Sequence, residues 1–232
     1  MKDKNMNKIR NTLVGVIAIT MASFSSAAYS FEGFSIGAAY SSLDFDTSGK
    51  EVSEGVLGSG PKTTTSKKTG SGDLGSIFAE YTFAQGSTIG VDYINGSTEI
   101  GNGTRTETGT TSGDVTVSAE IADPITFYVE PTFMMNEKFG VYVKGGATQL
   151  TVTPKEKSDT GAVVNSTYKS QDVWGIMTGV GAKYYMGNFF VKAEYTETDF
   201  GAYQHTSTAG NKNTIQADID TEETRFAIGY NF

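Results

Sequence analysis
His205 is the single histidine of the chain, and Thr206, Ser207 and Thr208 follow it directly, so a base and three hydroxyls share one short segment. Acyl-transfer chemistry needs such a base held rigidly within hydrogen-bond reach of its nucleophile. The surrounding residues, rich in Gly, Thr and Asn, read as a loop rather than a rigid support, and no catalytic residue is assigned. Cysteine is absent, which excludes disulfides, thiolate metal sites and a lipid-modified N-terminal cysteine. Asp218, Asp220, Glu222 and Glu223 gather carboxylates without a calcium-loop spacing, so neither metal nor cofactor is expected. The glycines of Gly175–Gly181 have no helix after them and do not form a phosphate loop.

A second set of charges is more informative. Glu80, Asp92, Glu130, Lys144, Lys183, Lys192, Glu194 and Arg225 are four acids and four bases, and all occupy one phase of a period-two pattern. The opposite phase carries no charge. Its apolar positions are Phe34, Ile36, Ala38, Tyr40; Ile77, Ala79, Tyr81, Phe83; Ile89, Val91, Tyr93; and Ile125, Phe127, Val129, Phe133. They continue with Phe139, Val141, Val143, Ala147; Trp174, Ile176, Val180, Ala182, Tyr184; Phe189, Val191, Ala193, Tyr195; and Phe226, Ile228, Tyr230, Phe232. Strict alternation over short runs predicts strands, and these are eight. Each has about the 9 to 11 residues of a tilted membrane strand.

Tight turns at 84–87, 136–138 and 186–188 alternate with long polar connections over 46–73, 96–114, 154–171 and 200–218. The pattern predicts an all-β fold, a transmembrane up-and-down antiparallel β-barrel of eight strands with short periplasmic turns and long extracellular loops. A lysine or arginine facing lipid at the midplane costs about 2 to 4 kcal/mol, which explains the uncharged phase. The eight charged residues then face a narrow lumen, where paired charges form an internal network that closes the barrel. Gly37, Ala39, Gly90, Gly146, Gly179, Gly181 and Gly229 share that face and leave room for the long charged side chains. Aromatic residues at strand ends, among them Tyr40, Tyr93, Trp174 and Tyr195, fit interfacial girdles. Pro131 predicts a bulge or strand end, and Asp123-Pro124 interrupts the alternation between Val115 and Phe133.

Residues 1–30 read as a signal peptide, with Lys2, Lys4, Lys8 and Arg10 before the apolar run TLVGVIAITMASF and cleavage after Ala28 or Ser30. The remainder, 31–232, is one barrel domain with 14 basic against 25 acidic residues, a balance that disfavours nucleic acid as a partner.

The last run, Thr224 to Phe232, ends in phase on a terminal aromatic, and the hairpin GVGAKYYMGNFFVKAEY precedes it. On these residues the chain resembles the small outer-membrane β-barrel family of the outer membrane protein A transmembrane domain, outer membrane protein X and the opacity proteins. The resemblance implies location in the outer membrane of a Gram-negative bacterium. It also implies Phe226, Ile228, Tyr230 and Phe232 as the signal read by the barrel-assembly machinery, with lipid and lipopolysaccharide as surroundings. A role in adhesion, surface protection or envelope integrity through exposed loops follows from it, with loop contacts to an extracellular ligand. A narrow pore or lateral channel for small or hydrophobic solutes is the alternative, and a lipid A-modifying enzyme is a third reading. Lys62, Lys67 and Lys68 are read as a solvated loop tip.

Overall fold
Alternating apolar and polar side chains place successive residues on opposite faces of an extended chain, and the chain closes this pattern into a barrel. The computed structural model describes residues 31–53, 62–107, 113–158, 168–207 and 213–232. The leader and its cleavage sites lie outside them. The strands are β1 (Gly33–Ser53), β2 (Lys62–Thr82), β3 (Thr88–Ile94), β4 (Ser97–Glu107), β5 (Gly113–Glu130), β6 (Thr132–Met134), β7 (Phe139–Ser158), β8 (Gln171–Met186), β9 (Phe189–Thr206) and β10 (Asn213–Asn231).

All pairings are antiparallel, and the ring runs β1-β2-β3-β5-β7-β8-β9-β10, with β10 returning to β1. It is a closed eight-stranded barrel. The two extra strands are continuations, since β4 extends the line of β3 along β5 and β6 extends β5 along β7. Gly96, at φ +152°, divides the first pair, and Pro131 divides the second. Asp123 adopts φ +49° where the β5–β7 register shifts. This is a bulge that swaps the inward phase of β5 from odd to even residues.

Outward faces carry Phe34, Ile36, Tyr40, Ile77, Trp174, Ile176, Val180, Phe226, Ile228 and Phe232, all exposed large apolar side chains. From Trp174 to Met186 the belt covers about 40 Å along β8 at roughly 3.4 Å per residue. A tilt of about 45° foreshortens it to nearly 30 Å, the depth of a bilayer core. No helix among the described residues is long and apolar enough to cross a membrane; the crossing is made by strands.

The strands run farther than the alternation predicts. Residues 46–53 and 62–73, expected in a loop, belong to β1 and β2, and Lys62, Lys67 and Lys68 are therefore on a strand rather than a loop tip. β5, β7, β9 and β10 likewise reach into the expected loops. The cause is an inversion of faces above the belt. On β1 the outward residues become Ser42, Asp44, Asp46 and Ser48, while Leu43 and Phe45 turn inward and are buried. Beyond lipid the outside must be wet and the inside dry.

Candidate functional site in the barrel lumen
Three layers fill the lumen. The floor, at the end of the short turns, is aromatic. Phe31 stacks on Tyr185 with centroids 3.7 Å apart, and Phe78, Phe190 and Ala227 pack beside them.

Above it lies the charged layer. Glu80, Asp92, Glu130, Lys144, Lys183, Lys192, Glu194 and Arg225 all point inward and are buried. Lys183 Nζ donates to Glu80 Oε1 at 3.0 Å and to Thr88 Oγ1 at 3.2 Å. Lys192 Nζ donates to Glu80 Oε2 at 3.1 Å and Glu130 Oε1 at 2.6 Å, and it lies 3.3 Å from Glu194 Oε1. Lys144 Nζ donates to both oxygens of Glu194, at 3.0 and 3.1 Å. Arg225 closes the set through Glu194 Oε2 at 2.8 Å and a hydrogen bond to Asp92, which also accepts from Ser76. Four carboxylates meet four cations, so the layer carries no net charge. A buried charge is tolerated only with such partners.

Aromatic hydroxyls and faces complete the layer. Tyr128 donates to Glu80 Oε2 at 3.0 Å and Tyr142 to Glu194 Oε1 at 2.7 Å. Lys144 lies 4.1 Å from the Tyr128 ring centroid, Lys183 5.1 Å from that of Phe190 and Arg225 5.3 Å from that of Phe78, all within cation–π reach. These inward aromatics were not identified from the sequence. Their signal is a cross-strand glycine, because Gly37 pairs with Phe78, Gly90 with Tyr128, Gly181 with Tyr142 and Gly229 with Phe190. A Cβ added at Gly229 would sit 2.2 Å from the Phe190 ring, and one at Gly37 2.2 Å from that of Phe78. The interior glycines thus make room chiefly for rings rather than for the charged side chains, because a ring lies flat over the backbone opposite it.

The third layer is apolar. Leu43, Phe45, Ile121, Leu150, Val152, Val173, Phe200, Tyr203 and Ile219 form a buried cluster inside the extracellular extension. Burial raises the pKa of Tyr203, whose hydroxyl has no hydrogen-bond partner among the described residues.

Other sequence candidates fall elsewhere. His205 stacks near Tyr203, and its Nε2 accepts the Lys169 backbone N–H at 3.4 Å. Thr208 lies outside the described residues. Asp218, Asp220, Glu222 and Glu223 are on β10, and among the described residues no cluster of His, Cys, Asp or Glu is arranged to hold a metal ion. Phe226, Ile228 and Tyr230 line the outer face of β10, and Phe232, directly after its end, is exposed in the same phase, with its N donating to Phe34 O at 3.0 Å.

A closed barrel with a lipid-facing belt and a filled lumen defines a transmembrane β-barrel protein. Residues 13–232 match the outer membrane protein beta-barrel domain family, and the chain belongs to that family. It is a protein of the Gram-negative outer membrane. Among solved structures it is similar to the outer membrane protein OprG of Pseudomonas aeruginosa, with TM-score 0.55 and 18% identity over 90% of this chain and 99% of that one. The outer membrane protease OmpT of Escherichia coli aligns with TM-score 0.48 and 9% identity over 90% and 99% of the two chains. Neisserial surface protein A aligns with TM-score 0.39 and 16% identity over 84% and 99%. At these identities the likeness concerns the fold alone. No curated protein sequence matches the chain.

Proposed function
We propose that this protein is a closed, non-catalytic barrel that anchors an extracellular β-extension for adhesion, surface protection or envelope integrity. The observation that carries the reading is the contact between Lys183 on β8 and Glu80 on β2. These strands stand four places apart in either direction round the ring, so the ion pair crosses the full lumen. A lumen of eight strands is narrow enough for side chains to fill, and here a neutral lattice fills it between an aromatic layer on one side and an apolar layer on the other. Ions entering this path must strip partners from buried charges. The eight lattice residues act as an internal lock, while Phe226, Ile228, Tyr230 and Phe232 serve as the assembly signal. Single-channel recording on the refolded barrel in lipopolysaccharide-containing bilayers tests the reading, with silence expected.

One observation favours a second reading, a lateral passage for small apolar solutes. β2 pairs with β3 only from Ser76 to Thr82, and above Ser76 it faces β4 without a hydrogen-bonded ladder. The seam lies beside Gly70, Gly72 and Phe45, and the apolar layer is behind it. Vesicle uptake of a small alkane-like solute that is abolished by a disulfide between Gly72→Cys and Thr98→Cys would favour this passage over the closed barrel.

A further inference from the structure
The extracellular extension carries a polar cleft of about 450 Å³ on the outer face of β2, β1 and β10. Two cross-strand rungs build it. Lys50 stands between Thr65 and Gln216, and Ser48 stands between Lys67 and Asp218. The rungs are two residues apart on β1, so all six side chains share one face. Neither Lys50 nor Lys67 forms a salt bridge with a described residue, an unusual state in a chain with such an excess of acid. Gln216 is oriented by donating from its Nε2 to Gln204 Oε1 at 3.0 Å.

We propose that this cleft binds an anionic saccharide supplied from the extracellular side. Two ammonium groups with no salt-bridge partner among the described residues stand on a diagonal, about 7 to 8 Å apart at the backbone, and suit a carboxylate or sulfate on a sugar ring. Two hydroxyls, an amide and the Asp218 carboxylate alternate around them and suit the ring's own hydroxyls. A peptide partner would want the apolar anchoring pocket that carries most protein contacts, and this grid has none.

The direction of approach follows from charge. Between the cleft and the last lipid-facing residues, Tyr40 and Phe226, lie two acidic rungs, Asp44 with Glu222 and Asp46 with Asp220. An anionic lipid headgroup at the membrane surface meets those acids first, whereas a ligand from the medium reaches the lysines directly. The inference goes beyond display of the extension and stands whether or not the lumen conducts.

Isothermal titration of the refolded barrel in detergent micelles with digalacturonate, maltose and inorganic phosphate tests it. Digalacturonate is expected to bind, to weaken as salt screens the lysines, and to lose at least tenfold in affinity in the Lys50→Gln/Lys67→Gln double variant. Lys155→Gln, which alters a lysine outside the cleft, should leave affinity unchanged. Failure of digalacturonate to bind, equal binding of maltose, or full retention by a heat-modifiable double variant overturns the proposal. Competition by inorganic phosphate alone at similar strength also overturns it, by reducing the cleft to a general anion site. Displacement by lipopolysaccharide micelles overturns the assignment to a ligand from the medium.

Discussion
Lys183 Nζ lies 3.0 Å from Glu80 Oε1 although 103 residues and half the circumference of the barrel separate them. Both side chains are shut off from solvent. Replacing a buried ion pair by apolar groups is often neutral, while removing one partner strands the other charge at a cost of about 3 to 5 kcal/mol. Lys183→Met should therefore destabilise the barrel near the lower end of that range, because Lys192 and Tyr128 still hold Glu80. Adding Glu80→Gln should recover part of the loss. Urea unfolding from lipid vesicles measures both, and additive losses would show that the two residues are not coupled.

Gly229 faces the Phe190 ring with no room for a methyl group. Gly229→Ala is expected to cost about 1 to 3 kcal/mol by overpacking. The double variant with Phe190→Leu should lose less than the two single variants together, a coupling that a double-mutant cycle reads directly.

Val180 is exposed at the middle of the outward belt on β8. Val180→Arg should cost about 2 to 4 kcal/mol in a bilayer, whereas Ser48→Arg, on the wet extension, should change stability by no more than about 0.5 kcal/mol. Trp174, the sole tryptophan, faces outward at the belt's edge, so its emission reports insertion and unfolding in the same experiment.

Phe232 closes the outer face of β10, with its ring centroid 6.3 Å from that of Phe34. Phe232→Ser should lower the yield of heat-modifiable barrel in cells while changing little in spontaneous refolding in detergent. Equal loss in both settings would make Phe232 a packing residue rather than a recognition signal.

Outside the lipid belt, Glu120 accepts from Lys155 and Ser97, and these hydrogen bonds with the nearby ammonium charge lower its carboxyl pKa. A lowered native value means the interaction is fully present above the unfolded pKa and is lost as pH falls through the native one. Carboxyl NMR titration should place Glu120 below ordinary glutamates, and Lys155→Gln should move it upward.

The lipid-facing half of the fold was legible because lipid imposes a one-sided rule. Ile36, Val180 and Ile228 are apolar for the same reason that Glu80 and Lys192 are not beside them. The extension was hidden by the reversal of that rule at Leu43 and Phe45, where the apolar phase moves inside and the pattern that marks a membrane strand ends. At Asp123 the phase also slips by one residue. The charged residues of the lumen were visible as a set, but their partners were not, because a contact such as Lys183 with Glu80 depends on closure of the ring. The ring-on-glycine pairs, Gly181 with Tyr142 among them, require a register that no single strand contains.

Single-channel recording of the refolded barrel in planar bilayers tests the central claim most directly. A lumen locked by the Lys183–Glu80 and Lys192–Glu130 contacts should give a silent baseline in the unaltered protein. Steady, reproducible conductance steps from that protein would contradict the closed-barrel account.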